Sequence, residues 1–168
     1  MNTVPRSPGP RYDALLQLFR TADTLWNASR VFFARWDLSP SQFNVLNLLY
    51  EQPNGLTQSE LSRQLLMHRS NVTGLIDRLE KRRLAVRRDT PGDRRAYRVM
   101  LTASGQRLVR TVLPRFHQAA EEVWGNLTAR RAQQLVTELA AVCAQAERTA
   151  AAMAHAPALS KPQQEAHG

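Results

Sequence analysis

A mainly helical fold with one small β-hairpin, an α+β arrangement, is what this sequence predicts, and three observations carry the prediction. Apolar residues return at helical spacing through six segments. Two of those segments open on a complete capping box, in which a Ser or Thr and a Glu or Gln three residues on satisfy each other's backbone N–H groups. Hydropathy of period two occurs in one stretch, around 86–101.

The first helix is expected over 11–36. Leu15, Leu18, Ala22, Leu25, Ser29, Phe32 and Trp36 form a stripe, and Leu16, Phe19, Trp26 and Phe33 widen it. Ser39, followed by Pro40 and then Gln42, caps a second helix through Phe43, Val45, Leu46, Leu48 and Leu49, which stops before Pro53-Asn54-Gly55. Thr57-Gln58-Ser59-Glu60 caps a short third helix with Leu61 and Leu65 inward. After a turn at Leu66-Met67, a fourth helix covers about 69–82. Its inward stripe is Val72, Leu75, Ile76 and Leu79, and its other face is polar. Val86 and Arg88 on one arm, with Arg95, Tyr97, Val99 and Leu101 on the other, alternate as a hairpin around the turn residues Thr90-Pro91-Gly92-Asp93. Thr102 caps a fifth helix, which Pro114 is expected to kink. Thr128 caps a sixth through Leu135, Val136, Leu139, Val142 and Met153.

Four regions follow. Residues 1–10, with three prolines and a glycine, are expected to be a disordered arm, and 156–168 a disordered tail. Residues 39–102 form a reading head. Residues 11–38 and 103–155 carry apolar stripes longer than that head can cover, so they are expected to form a dimerisation region and the chain a homodimer.

The net charge of +9 is not spread evenly. Residues 61–110 hold thirteen Arg and Lys against Asp77, Glu80, Asp89 and Asp93, while the remaining residues balance. A genome that favours arginine explains 21 Arg against 2 Lys, but not why acids offset bases everywhere except here. The excess points to a polyanion: double-stranded DNA, with an anionic membrane surface as the competing reading. The pair of short helices with a tight turn sharpens this, because it is the arrangement that sets a second helix in the major groove. The first turn of that helix offers His68, Arg69, Ser70, Asn71 and Thr73, with Arg78 further along. Arg grips guanine O6 and N7 with two bonds, and Asn does the same to adenine. The plain alternative is that Ser70 or Asn71 only caps the helix. A hairpin beside a recognition helix makes a winged helix-turn-helix. Its tip, Asp93-Arg94-Arg95, is placed to reach the minor groove, where Asp93 would pre-orient Arg95; Arg88 lies on the same wing. The alternative there is an ordinary exposed ion pair. Arg63, Lys81, Arg82 and Arg87 add candidate phosphate contacts.

The segment Leu56–Leu84 (LTQSELSRQLLMHRSNVTGLIDRLEKRRL), the tip DRR at 93–95 and YRVMLTASG at 97–105 resemble the MarR family of winged helix-turn-helix transcriptional regulators, over about residues 12–150. The resemblance implies a homodimer made by the first and last two helices, bound to a palindromic operator and acting as a repressor. It further implies release by a small, often phenolic or aromatic acid held between the dimerisation helices and the reading head. By position the wing arginine is Arg95, its partner Asp93, and the reading residues lie at 68–73. Arg83 departs from the family, which commonly has glycine there to supply a left-handed helix cap. Trp26, Phe32, Phe33, Trp36, Phe43 and Phe116 are candidates for an aromatic ligand pocket, or equally for core and dimer seam.

Other classes are disfavoured. No nucleophile with a base, no phosphate-binding glycine loop and no transmembrane run is present, so neither catalytic residues, a cofactor nor a membrane partner is expected. His117 and His155 lack partners at ligand spacing, so no metal is expected. Cys143 reads as buried packing rather than a redox switch. The start of the chain lacks a signal-peptide pattern, which places the protein in the cytoplasm. Besides a ligand-controlled regulator, two readings stay open: a constitutive or architectural DNA-binding protein, and a helical module that binds another protein.

Overall fold

The element order is α1 (Pro10–Ala34), α2 (Pro40–Tyr50), β1 (Leu56–Thr57), α3 (Gln58–Gln64), α4 (Arg69–Lys81), β2 (Ala85–Thr90), β3 (Asp93–Leu101), α5 (Ala103–Trp124) and α6 (Ala129–His155). The computed structural model describes residues 9–90 and 93–155, and their side chains except at 90, 93–96 and 155. The expected disordered ends, apart from Gly9 and Pro10, lie outside the described residues, as do Pro91 and Gly92 of the expected turn.

The local signals act as the chemistry requires. Ser39 Oγ accepts from Gln42 N at 3.2 Å while Gln42 Oε1 accepts from Ser39 N at 2.8 Å. Thr57 and Glu60 do the same for α3. At the start of α5, Thr102 Oγ1 accepts from Gly105 N at 3.0 Å and donates to the Arg83 carbonyl at 2.6 Å. α5 runs through Pro114 without a break in the helix.

The sheet is antiparallel in the order β1-β3-β2. The two-residue β1, pairing Leu56 with Val99 and Thr57 with Arg98, adds a strand that the sequence pattern did not indicate. Two residues are too few to display a period.

Two compact units divide the chain, Met1–Gln118 and Ala119–Gly168. The first holds a single apolar core: Phe33, Phe43, Leu46, Leu61, Val72, Ile76, Leu79, Val99, Val109 and Val112 are almost wholly buried. Burial of that apolar area, at ~25 cal/mol per Å², fixes the inward faces of α3 and α4 and therefore leaves their polar faces outward. In the second unit α6 buries no residue within the single chain, and Val136, Val142 and Met153 are exposed. Cys143 is exposed as well, against the expectation of buried packing, because the apolar stripe of α6 on or near which it lies has no buried residue among the described ones.

The helix cap that glycine commonly supplies is made here by Arg83, and the helix does not fray. Arg83 takes the left-handed conformation itself, at φ 56°. Its N–H donates to Glu80 O at 2.8 Å, and the next N–H, of Leu84, reaches back to Leu79 O at 2.9 Å. This closes α4 as a Schellman turn does.

Candidate nucleic-acid interface

α3 and α4 are joined by Leu65–His68, where Leu66 is left-handed at φ 51°. Met67 N donates to Ser62 O at 3.0 Å, and Ser62 Oγ donates to Met67 O at 2.5 Å. These bonds fix the turn, and the buried side of α4 fixes its rotation. His68, Arg69, Ser70, Asn71, Asp77, Arg78 and Lys81 are exposed on the opposite side. His68 is the N-cap residue, and neither it nor Ser70 nor Asn71 caps the helix with a side chain. His68 Nδ1 and Ser70 Oγ lie 2.9 Å apart.

Thr73 is placed differently from its neighbours. It is half-buried, and its hydroxyl donates to Arg69 O at 3.0 Å while accepting from Gln58 Nε2. Its single hydroxyl proton is thus engaged within the protein.

The wing packs on α4 through a cluster that sequence reasoning missed. Arg87 on β2 binds Glu80 through its backbone N–H, at 2.8 Å, and through its guanidinium, which also reaches Asp77 at 2.7 Å and lies 5.2 Å from the centre of the Tyr97 ring. Burial works against the charge of this guanidinium, but the bonds to Asp77 and Tyr97 and the charge of Glu80 outweigh it and raise its pKa. Arg82 turns inward too, to the carbonyls of Trp36 and Asp37 and the Asp37 carboxylate. Arg82 and Arg87, expected as phosphate contacts, are therefore committed to the fold. Arg63, Arg69, Arg78, Lys81 and Arg88 are exposed. Arg98, across the hairpin from Arg88, holds the Asn54 and Gly55 carbonyls at 2.9 and 2.7 Å and faces Glu60 at 3.7 Å. The hydrogen bonds from Thr57, and then the nearby Arg98 and Arg63, outweigh burial and keep the Glu60 carboxyl below its ordinary value.

At the tip, the backbone of Asp93, Arg94 and Arg95 begins β3, with Asp93 opposite Thr90. Their side chains lie outside the described ones, and the pairing of Asp93 with Arg95 remains an expectation.

The six aromatic candidates separate into two places. Phe32, Phe33, Trp36, Phe43 and Phe116 pack against one another with ring centroids 4.4–5.7 Å apart, and Phe33 and Phe43 are buried. Trp26 instead lines an open cleft of about 480 Å³ with Arg30, Ala34, Asp37, Leu38, Ser39, Pro40 and Gln42. Among the described residues no group of three His, Cys, Asp or Glu is placed to hold a metal ion, and no helix is long and apolar enough to cross a membrane.

Comparison with known proteins bears on this arrangement. A family model described as the MarR family matches residues 36–96, the span from the end of α1 to the wing. The HTH-type transcriptional regulator PapX of Escherichia coli is 32% identical over 120 residues, 70% of this chain and 73% of that protein. A solved structure of the transcriptional repressor CouR bound to a 23-mer DNA duplex is 30% identical and superposes with a TM-score of 0.67, covering 76% of this chain and 89% of that one. CouR from Rhodococcus jostii RHA1 bound to p-coumaroyl-CoA is similar at 26% identity and a TM-score of 0.73, covering 81% of this chain and 95% of that one.

Proposed function

The chain belongs to the MarR family of winged helix-turn-helix transcriptional regulators and is a DNA-binding regulator; from that premise we propose that two copies read a palindromic operator through α4 and the wing and repress transcription. The observation that carries this is the exposed first turn of α4, with Arg69 and Asn71 outward on a helix whose other side is locked in the core. Arg69 and Asn71 read base edges in the major groove, and Arg95 on the wing enters the adjoining minor groove with Asp93 orienting it. Arg63, Arg78, Lys81 and Arg88 hold phosphates. Residues 39–102 serve as the reading head, and α1, α5 and α6 form the dimerisation region, which covers the apolar residues of α6 that are exposed in one chain. The protein works in the cytoplasm, where its DNA is, and as a binder rather than an enzyme.

The CouR likeness supports control by an aromatic acid or its thioester. In this chain the cleft beside Trp26 offers an indole face and the Arg30 guanidinium to such an anion. The Phe33, Phe43 and Phe116 rings, with centroids 4.4–5.4 Å apart, favour a second reading, a constitutive DNA binder, because they pack on one another as core. Selection of duplexes from a random-sequence library, followed by gel shifts with p-coumaroyl-CoA and simple aromatic carboxylates, separates the two. Release of the selected duplex supports ligand control. Retention at every ligand concentration supports the constitutive reading, and failure to enrich any sequence removes the regulator assignment.

A further inference from the structure

Gln58, the first residue of α3, faces three partners on two other elements. Its Nε2 donates to the Arg69 carbonyl at 3.0 Å and to the Thr73 hydroxyl, and its Oε1 accepts from the Tyr97 hydroxyl. The orientation of the amide follows from chemistry: the Arg69 carbonyl can only accept, so nitrogen must face α4 and oxygen must face the wing. A carboxylate at 58 has no donor for Arg69, and an ammonium has no acceptor for Tyr97. Asn is one methylene too short to span the gap. Glutamine supplies a donor at one end and an acceptor at the other at this length.

The bonds meet where DNA reading is decided. Arg69 O is held twice, by Gln58 and by Thr73 Oγ1, so the backbone from which the Arg69 side chain departs is fixed. Tyr97 lies on β3, immediately beyond the segment 93–96 that begins the strand at the wing tip. Its ring also lies against Arg87, which is anchored to Asp77 and Glu80. The wing is thus tied to α4 near both ends of the helix, through Gln58 at the N-terminal end and through Arg87 toward the C-terminal end.

We infer that Gln58 is a positioning residue that locks the wing to the first turn of α4, so that the major-groove and minor-groove readers approach DNA as one rigid unit. This rests on the DNA-reading role assigned above. It also gives Thr73 a part other than base contact, since the hydroxyl serves the clamp. A pre-ordered pair of readers loses less freedom on binding the correct site, whereas contacts to phosphate alone tolerate a loose wing.

The test compares Gln58→Met, of equal length without hydrogen-bonding groups, and Tyr97→Phe, which removes one hydroxyl, with the unaltered protein. Each is titrated against the duplex that the unaltered protein enriches from a random-sequence library and against a mixed-sequence duplex, with thermal melting to confirm folding. Gln58→Met is expected to weaken the enriched duplex about tenfold and leave the mixed duplex and the salt slope unchanged. Tyr97→Phe is expected to give a smaller loss that disappears once the flanks contacted by the wing are replaced. A residue that merely stabilises the fold would weaken both duplexes alike, and that result overturns the inference, as does a selective protein unaffected by either change. If Gln58→Met does not fold, Tyr97→Phe decides alone. If the unaltered protein enriches no sequence, DNA reading itself fails and the inference fails with it.

Discussion

Arg83 and Gly105 show two different reasons why a position favours glycine, backbone conformation at the first and close approach at the second. Arg83 sits left-handed at φ 56°, a conformation costing a non-glycine residue roughly 1–2 kcal/mol. Glycine returns part of that through the greater freedom of its unfolded chain, ~0.5–1 kcal/mol. Arg83→Gly is therefore expected to stabilise by about 0.5–1 kcal/mol, a rise of ~1–4 °C in melting temperature. Gly105 has no positive φ, but a Cβ there would lie 2.0 Å from the Leu84 carbonyl, which already accepts the Thr102 N–H at 3.1 Å. Gly105→Ala must push α5 away from the end of α4, at a cost of about 1–3 kcal/mol in a urea titration. Arg69 is exposed and holds no part of the core, so Arg69→Ala is expected to leave the urea midpoint alone. Its cost is about 1–3 kcal/mol per half-site in DNA binding, with relaxed preference at one or two base pairs.

The short helix α3 and the wing depend on charged anchors more than on length. Glu60 closes the α3 capping box with its carboxylate, and its pKa lies below the ordinary 4.5. A depressed carboxyl contributes stability that is fully present above the unfolded value and is lost as pH falls through the folded one. Acid should therefore loosen α3 below about pH 4.5, and Glu60→Gln should flatten that part of a stability–pH curve, followed by circular dichroism. Arg87→Met removes the guanidinium shared by Asp77 and Glu80 toward the C-terminal end of α4, while Glu80 keeps the backbone N–H of residue 87. The expected cost is about 1.5–3 kcal/mol, with the hairpin amides gaining hydrogen exchange first. What was legible beforehand follows the range of each interaction. The capping boxes at Ser39 and Thr57 span three residues, so sequence alone displays them. Gln58 looks like an ordinary member of such a box, because its side-chain partners stand 11, 15 and 39 positions away. Arg82 and Arg87 likewise count as surface charge until the fold brings Asp37, Asp77 and Glu80 to them. Composition locates a basic segment, but only packing distinguishes its structural arginines from those left facing outward.

Dimerisation and salt response are coupled properties of the molecule. In one chain α6 leaves Val136 57% and Val142 48% exposed, and a second copy packed on this face would cover them. A two-fold dimer sets its recognition helices ~34–36 Å apart or at a multiple of that distance, so both enter the same face of the duplex. With Arg82 and Arg87 committed internally, each subunit presents Arg63, Arg69, Arg78, Lys81 and Arg88 among the described side chains. Roughly three to five phosphate contacts per subunit give about 6–10 for the dimer, a log–log salt slope near −5 to −9, and a ~10³–10⁵-fold loss of affinity between 50 and 200 mM salt. Val142→Glu places a charge on the face of α6 that needs covering, and sedimentation should then report a monomer. Because each chain carries its own reading head, that monomer keeps its phosphate contacts one by one, and its slope should fall to about half, roughly −2.5 to −4.5, while affinity drops more steeply as the second half-site ceases to be held nearby. A monomer retaining the full slope would mean that one chain contacts every phosphate, and the symmetric reading of a palindrome would be wrong. A Val142→Glu protein that stays dimeric would instead move the interface away from this face of α6.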